Sequence, residues 1–268
     1  VSDTAHFKVE KEEQIAWLTL NRPEKRNVMG TAFFKELSVH LDEFDQDTSV
    51  RAVVIKAEGK SFTAGTDLEE VGSLLSGKGA DQRETTHFNI VALQQGMTKL
   101  EKCRKPVIAA IHSHCIGGGI DLISACDIRI ATADAVFSVR ETRMGIIADL
   151  GTLQRLPYII GHGWFRELAL TGRDFSAKEA LQMGLITRIC EDRETLHKAA
   201  LRLASEIAAC PPLTVQGTKE VILFSRDHGV EAGLNYVAQK NAAALPSEDV
   251  VEAVTAFMEK RKPVFKGK

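Results

Sequence analysis

The stretch CIGGGIDLISACD, residues 115 to 127, constrains this chain more than any other. An apolar run, VIAAI, leads into it and a helix-like pattern leads out. Three consecutive glycines contribute no side chain to a core and lose much backbone entropy on folding, so their place between two buried-looking segments implies a need for bare backbone. A strand, then GGG, then a helix start leaves unpaired N–H groups aimed at one point, and the helix dipole adds positive potential there. That arrangement suits an anion or a developing oxyanion. Close packing of helix on strand, or a tight turn, is the other reading. The dinucleotide spacing G-x-G-x-x-G and the P-loop lysine pattern are both absent.

The flanking sequence predicts an α/β fold. IAWLTL (15–20), RAVVIKAEG (51–59), PVIAAI, DIRIAT, AVFSV and ITRIC read as strands. Thr31 reads as the cap of a helix whose Phe33, Phe34, Leu37, Leu41 and Phe44 share one face. SFTAGTDLEEV (61–71) reads as a strand running into a loop and a short helix, 72–86 as the most loop-like stretch, and 87–102 as a helix. RLPYIIGHGWFRELALTG suggests a helix pair, and SAKEALQMG a capped helix ending in glycine. From 193 onward the pattern is helical, with starts near 193, at Pro211-Pro212, near 230 and at Ser247. The expected organisation is a core over 1–192 and a helical region over 193–268, whose apolar faces cover the chain's own core or a neighbouring subunit. No fixed-period repeat shows, although strand-strand-helix units recur.

Composition excludes several function classes. Among 268 residues the formal net charge is -2, so no basic field recruits nucleic acid or an anionic membrane. No apolar run approaches the roughly 20 residues that span a bilayer. The five cysteines are scattered through apolar patterns, which suits reduced thiols rather than a disulfide frame. VSDTAHFKVEKEEQ has no signal-peptide core and PVFKGK is not a peroxisomal address. The expected location is cytoplasmic, or the mitochondrial matrix if a transit peptide has been removed.

Further candidate residues lie around the glycines. FTAGTDL (62–68) is a second strand end with glycine, able to offer the Thr66 N–H; Asp67 by itself reads as a cap or turn residue. Three carboxylates stand out: Asp121 in the first turn after the glycines, Glu141 in VRETRMGI, and Asp149 in GIIADLGTLQRL. Each also has a structural reading: helix-terminus charge for Asp121, an ion pair with Arg140 or Arg143 for Glu141, and a helix cap for Asp149. The apolar flanks of Asp149 fit a cap least. In HSHC (112–115), an extended strand directs His112 and His114 to one face and Cys115 to the other, and no second Cys/His cluster completes a site, so no metal is expected. The G-x-S-x-G elbow of serine hydrolases is absent.

Taken together, LTLNRPEKRNV, FTAGTDL, KPVIAAIHSHCIGGGIDLISACDIRIAT, FSVRETRMGI, GTLQRLPYIIG, SAKEALQMGLI and SEDVVEAVTAFMEKRKP resemble the crotonase superfamily, the enoyl-CoA hydratase/isomerase family, over nearly the whole chain. The resemblance implies a spiral of ββα units with a C-terminal helical trimerisation region, forming a homotrimer or a hexamer of paired trimers. It also implies an acyl-CoA thioester substrate whose carbonyl oxygen is held by the N–H groups of Thr66 and Gly118. Coenzyme A is part of that substrate, and no separate cofactor is expected. CoA is expected along Ala64, Gly65, Thr66, Asp67 and Leu68, with its phosphates near Arg26 and near Lys262 or Lys266 of the same or a neighbouring subunit.

Hydratases of this family typically carry a glutamate at each position matching Asp121 and Glu141, and usually a glycine at that matching Asp149. The shorter Asp121 and the added Asp149 resemble the branch that moves both double bonds of a 3,5-dienoyl-CoA into conjugation with the thioester. A hydratase or monoene isomerase on the same fold is the alternative. A non-catalytic acyl-CoA- or RNA-binding protein is the alternative of another class, for which the basic stretch KLEKCRK (99–105) is short.

Overall fold

Strands that bury both faces, alternating residue by residue, make the centre of the molecule. The structure, a computed structural model, describes residues 6–70 and 79–268. Its strands are β1 Phe7–Glu12, β2 Ile15–Leu20, β3 Ala52–Ala57, β4 Val107–Ile111, β5 His114–Ile116, β6 Ile128–Thr132, β7 Val136–Ser138, β8 Phe175–Ser176 and β9 Ile189–Cys190. Among the described residues the helices are α1 Thr31–Gln46, α2 Ala80–Lys102, α3 Gly118–Ser124, α4 Thr152–Thr171, α5 Ala177–Met183, α6 Arg193–Ala208, α7 Pro212–Ala244 and α8 Glu248–Glu259.

One sheet has the order β1-β2-β3-β4-β6-β9, and a smaller one β5-β7-β8. β1 runs antiparallel to β2, while β2, β3, β4, β6 and β9 are parallel. Parallel strands need covering on both sides, and period-2 alternation supplies two apolar faces. Trp17, Val54, Ile108 and Ile130 face Leu196, Ala200 and Ala204, which recur every fourth residue along α6. Leu18, Val53, Ile55 and Ile111 face the opposite way, into a core shared with Phe33, Leu37, Leu41 and Phe44 of α1 and Met97 and Leu100 of α2. By packing, α6 belongs with the sheet.

Four local expectations change. Thr31 is not the cap of α1: Gly30 occupies that position, and the Glu70 carboxylate accepts both the Thr31 N–H and its hydroxyl. The stretch 72–86 is not loop throughout, since α2 begins at Ala80; residues 71–78 lie outside the described residues. SFTAGT forms no regular strand, only single bridges from Thr63 to Cys115 and from Thr66 to Met29. Nor is HSHC one strand. Ser113 has φ 52°, which breaks the alternation, buries His112 against the Gly59 carbonyl and leaves His114 exposed.

The C-terminal helices begin where the sequence places them. Ser247 caps α8, and α7 breaks at Gly229 (φ 85°, ψ 174°) into two arms. The arms fold back on each other, stacking Phe224 on Tyr236 with ring centres 4.2 Å apart.

Candidate active site

The site is assembled where the chain leaves β3 and β5. Asn27 is buried, in left-handed conformation, and its side-chain amide donates to the carbonyls of Glu58, Ser61 and Phe62 at 2.9, 3.0 and 3.2 Å. The Thr63 hydroxyl donates to the Asn27 carbonyl at 2.7 Å and accepts the Gly65 N–H at 3.0 Å. This ladder lays residues 63–66 against the backbone of Ile116 and Gly118. Approach is close enough that a Cβ on Gly65 would sit 2.6 Å from the Ile116 carbonyl oxygen, and Gly65 has φ 96° besides. A Cβ on Gly118 would sit 3.4 Å from the Thr66 nitrogen and 2.9 Å from its hydroxyl. The two N–H groups are therefore neighbours, and neither donates to an acceptor among the described residues. Two free donors at one point are what a carbonyl oxygen gathering negative charge requires. Gly118→Ala is expected to close the gap and lower kcat/KM by about 10²-fold or more, as steady-state kinetics with an acyl-CoA substrate will measure.

The three carboxylates come from α3 and from the segment between β7 and α4. Asp121 is 1% exposed and accepts the Thr152 N–H at 2.6 Å. Burial and the nearby Glu141 charge push its pKa up to about 7, against the pull of that hydrogen bond, with a smaller push from Asp149. Glu141 begins the short 3-10 turn Glu141–Met144, with Oε1 3.2 Å from where a Gly117 Cβ would stand. Its Oε2 is buried without a partner. Burial raises its pKa, and the Asp149 charge adds to the rise. Asp149 is half-buried, is raised by burial, and has its carbonyl held by the Gln94 side-chain amide at 2.7 Å.

Asp121 does lie in the first turn of α3, as its structural reading has it, but the structural readings of Glu141 and Asp149 do not hold. Arg140 pairs with Asp174, and Arg143 donates to the Thr171 carbonyl at 2.9 Å, so neither arginine serves Glu141. Gly151, not Asp149, occupies the cap of α4. Three carboxyls with no ion-pair partner among the described residues share one environment, which pushes the pKa of each upward, that of Asp121 to about 7.

Residues 64–68 flank the free donors. The Ala64 N–H donates to the Arg26 carbonyl at 3.0 Å and the Asp67 N–H to the Met29 carbonyl at 3.0 Å. Asp67 Oδ1 accepts the Glu69 N–H at 3.0 Å, and Leu68 is largely exposed. Arg26 is exposed at the rim. The C-terminal tail lies elsewhere in the subunit. Its Phe265 carbonyl accepts from Arg51, just before β3, and the Lys266 N–H donates to Asp249. β3, about 20 Å long, runs from near that anchor toward the segment leading to Ala64.

Sequence reasoning did not single out Asn27, Gln94 or Thr152. Asn27 carries a signal, a polar residue closing the turn NRPEKRN. Gln94 and Thr152 carry none, because each matters only through the backbone it meets.

The chain matches a family model described as enoyl-CoA hydratase/isomerase over residues 10–268. It is 42% identical to the mitochondrial Delta(3,5)-Delta(2,4)-dienoyl-CoA isomerase of Dictyostelium discoideum, over 99% of this chain and 93% of that protein. It is 46% identical to the peroxisomal enzyme of the same name from Arabidopsis thaliana, over 92% and 91% of the two chains. Among solved structures, an enoyl-CoA hydratase from Bacillus anthracis superposes with a TM-score of 0.91 at 32% identity, covering 98% of this chain and all of the other.

Proposed function

The chain belongs to the enoyl-CoA hydratase/isomerase family, and on that premise we propose that it is an isomerase converting 3,5-dienoyl-CoA to 2,4-dienoyl-CoA by moving protons between carboxylates. The observation that carries the mechanism is the set of three coupled, partly neutral acids beside two free N–H groups. A 1,5-proton shift takes a proton from C2 and delivers one at C6, which lie too far apart for one short side chain to serve both. Glu141, nearest the glycine turn, is the base at C2. Asp149 is the acid at C6, its pKa raised by burial, which favours the protonated form. Asp121 tunes the pair electrostatically. The Thr66 and Gly118 N–H groups hold the dienolate oxygen between the two steps, each contributing about 3 kcal/mol to its stabilisation. CoA lies along Ala64, Gly65, Thr66, Asp67 and Leu68 with Arg26 toward its phosphates. The distal acyl carbons enter an apolar cavity of about 570 Å³ bounded by Ile146, Ala148, Leu153 and Phe165.

The test is to supply the purified protein with a 3,5-dienoyl-CoA and, separately, a 2-enoyl-CoA. Growth of conjugated-dienoyl absorbance without water addition is expected. Rapid hydration of the 2-enoyl thioester with no dienoyl signal would assign a hydratase instead. No cofactor enters this reaction scheme. A homotrimer or paired trimer is supported by apolar residues exposed on α7 and α8, among them Leu234, Val251, Met258 and Phe257, the last 85% exposed. Free cysteines suit a reducing compartment, the cytoplasm or the mitochondrial matrix. Among the described residues no helix is long and apolar enough to cross a membrane.

A further inference from the structure

Resting on the assignment of Glu141 as base and Asp149 as acid, we propose that the polar cavity bordered by Asp149, Gln94, Thr98, Glu101, Arg155 and Arg226 is a water-filled port that reloads Asp149 with a solvent proton on every turnover. The need for a port follows from proton balance. In one turnover the C2–H bond breaks and its proton goes to Glu141, while a C6–H bond forms with the proton of Asp149. The substrate gains and loses nothing overall, but the protein ends with Glu141 protonated and Asp149 ionised, the reverse of how it began. A second turnover requires Glu141 to give up a proton and Asp149 to gain one.

The segment Gly145–Leu150 separates two cavities of opposite character. Ile146 and Ala148 line the apolar one assigned above to the acyl tail, whereas Asp149 and Leu150 line a polar one of about 470 Å³. Asp149 thus borders a second compartment, distinct from the one proposed for the acyl tail. Glu101 stands in its wall between Arg226 Nη1, at 2.5 Å, and Arg155 Nε, at 3.1 Å. Burial opposes ionisation of Glu101, yet the two guanidinium groups hold its pKa below the usual carboxylate value. Arg155 Nε itself is buried without an acceptor in hydrogen-bonding geometry, a need that water in the cavity meets. A cavity walled by ionised and amide groups, and far larger than the ~10–15 Å³ that one water needs, fills with water. Glu101, fixed as an anion, is not the proton source; it and the arginines keep the passage wet. Gln94 fixes the segment carrying the acid at its mouth through the Asp149 carbonyl. The competing route passes the proton internally from Glu141 to Asp149 through Asp121, which both of them approach.

Turnover of a 3,5-dienoyl-CoA in D2O, with the product read by mass spectrometry and NMR, decides between the routes. Because carboxyl protons exchange with D2O before substrate is added, the port predicts one solvent deuterium at C6 in every product, the first and all later turnovers alike. Protium carried from C2 to C6 would overturn it in favour of the internal route. Failure of the proposed reaction itself has a different signature, no conjugated product at all, and takes the port with it. A second variant tests the location. Gln154 is exposed and lines the polar cavity, so Gln154→Trp narrows its entrance. We expect steady-state kcat to fall about tenfold with KM unchanged, while rapid-quench kinetics show a first turnover of wild-type rate and amplitude. A steady-state rate equal to wild type would place the proton entry elsewhere and overturn the port.

Discussion

Asp149→Asn is expected to lower kcat for a 3,5-dienoyl-CoA by about 10³-fold or more, the scale of a positioned general acid, while the Kd of an unreactive saturated acyl-CoA changes less than about threefold. The substitution is nearly isosteric, and the main-chain carbonyl that Gln94 holds is unaffected by it. What is removed is the only proton that the proposed scheme offers to C6. The Thr66 and Gly118 donors, proposed above to hold the thioester, belong to a separate backbone ladder anchored by Asn27 and Thr63. A loss confined to kcat identifies the carboxyl as acting in the chemical step. Retention of full activity would remove Asp149 from the mechanism. Stopped-flow absorbance at the conjugated-dienoyl band gives the rate, and calorimetry with the saturated analogue gives the affinity.

Asp121→Asn is expected to stabilise the fold at pH 8 while slowing isomerisation. Burial and the Glu141 charge raise the Asp121 pKa from 3.8 to about 7. Between those values the folded chain keeps a proton that the unfolded chain has released, so stability falls as pH rises through this window and is flat above it. The sign is that of a carboxyl made harder to ionise by folding: the stabilising contribution is complete below about pH 4 and lost above about pH 7. At 1.36 kcal/mol per pH unit, the ionised wild type gives up on the order of 4 kcal/mol at pH 8. Asparagine keeps an oxygen for the Thr152 N–H and carries no charge. The variant is therefore expected to melt about 10 °C higher at pH 8 and at the wild-type temperature below about pH 4. Thermal melts at several pH values check this. A pH-independent difference would show that Asp121 is ionised without cost, and that its burial does not set its charge.

Much of this was legible in the chain. The strand-forming runs are apolar at both odd and even positions, which only a doubly covered sheet satisfies, and the capped starts at Ser176 and Ser247 are local hydrogen-bond patterns. The glycines at 117–119 announced a place where backbone must be bare. The misjudged elements were those whose signal is not local. The cap of α1 comes from Glu70, 39 residues away. Ser113 turns the chain inside what reads as a continuous apolar strand. The stretch GADQRETT becomes the first turns of α2, a weakly amphipathic helix whose buried residues, Gly96, Met97, Leu100 and Glu101, lie toward its far end.

What the sequence determined by itself, then, is the set of parts: which segments are strands or helices, that two turns carry glycine, and that Asp121, Glu141 and Asp149 are acids in apolar company. Periodicity and backbone stereochemistry fix these over a few residues. Only the tertiary structure decided that the Thr66 and Gly118 N–H groups are neighbours without acceptors, that the three acids repel one another out of reach of Arg140 and Arg143, and that the C-terminal tail is anchored at the far end of β3. Proximity across tens of residues depends on how the layers stack, and the charge state of a buried acid depends on everything that replaces its water.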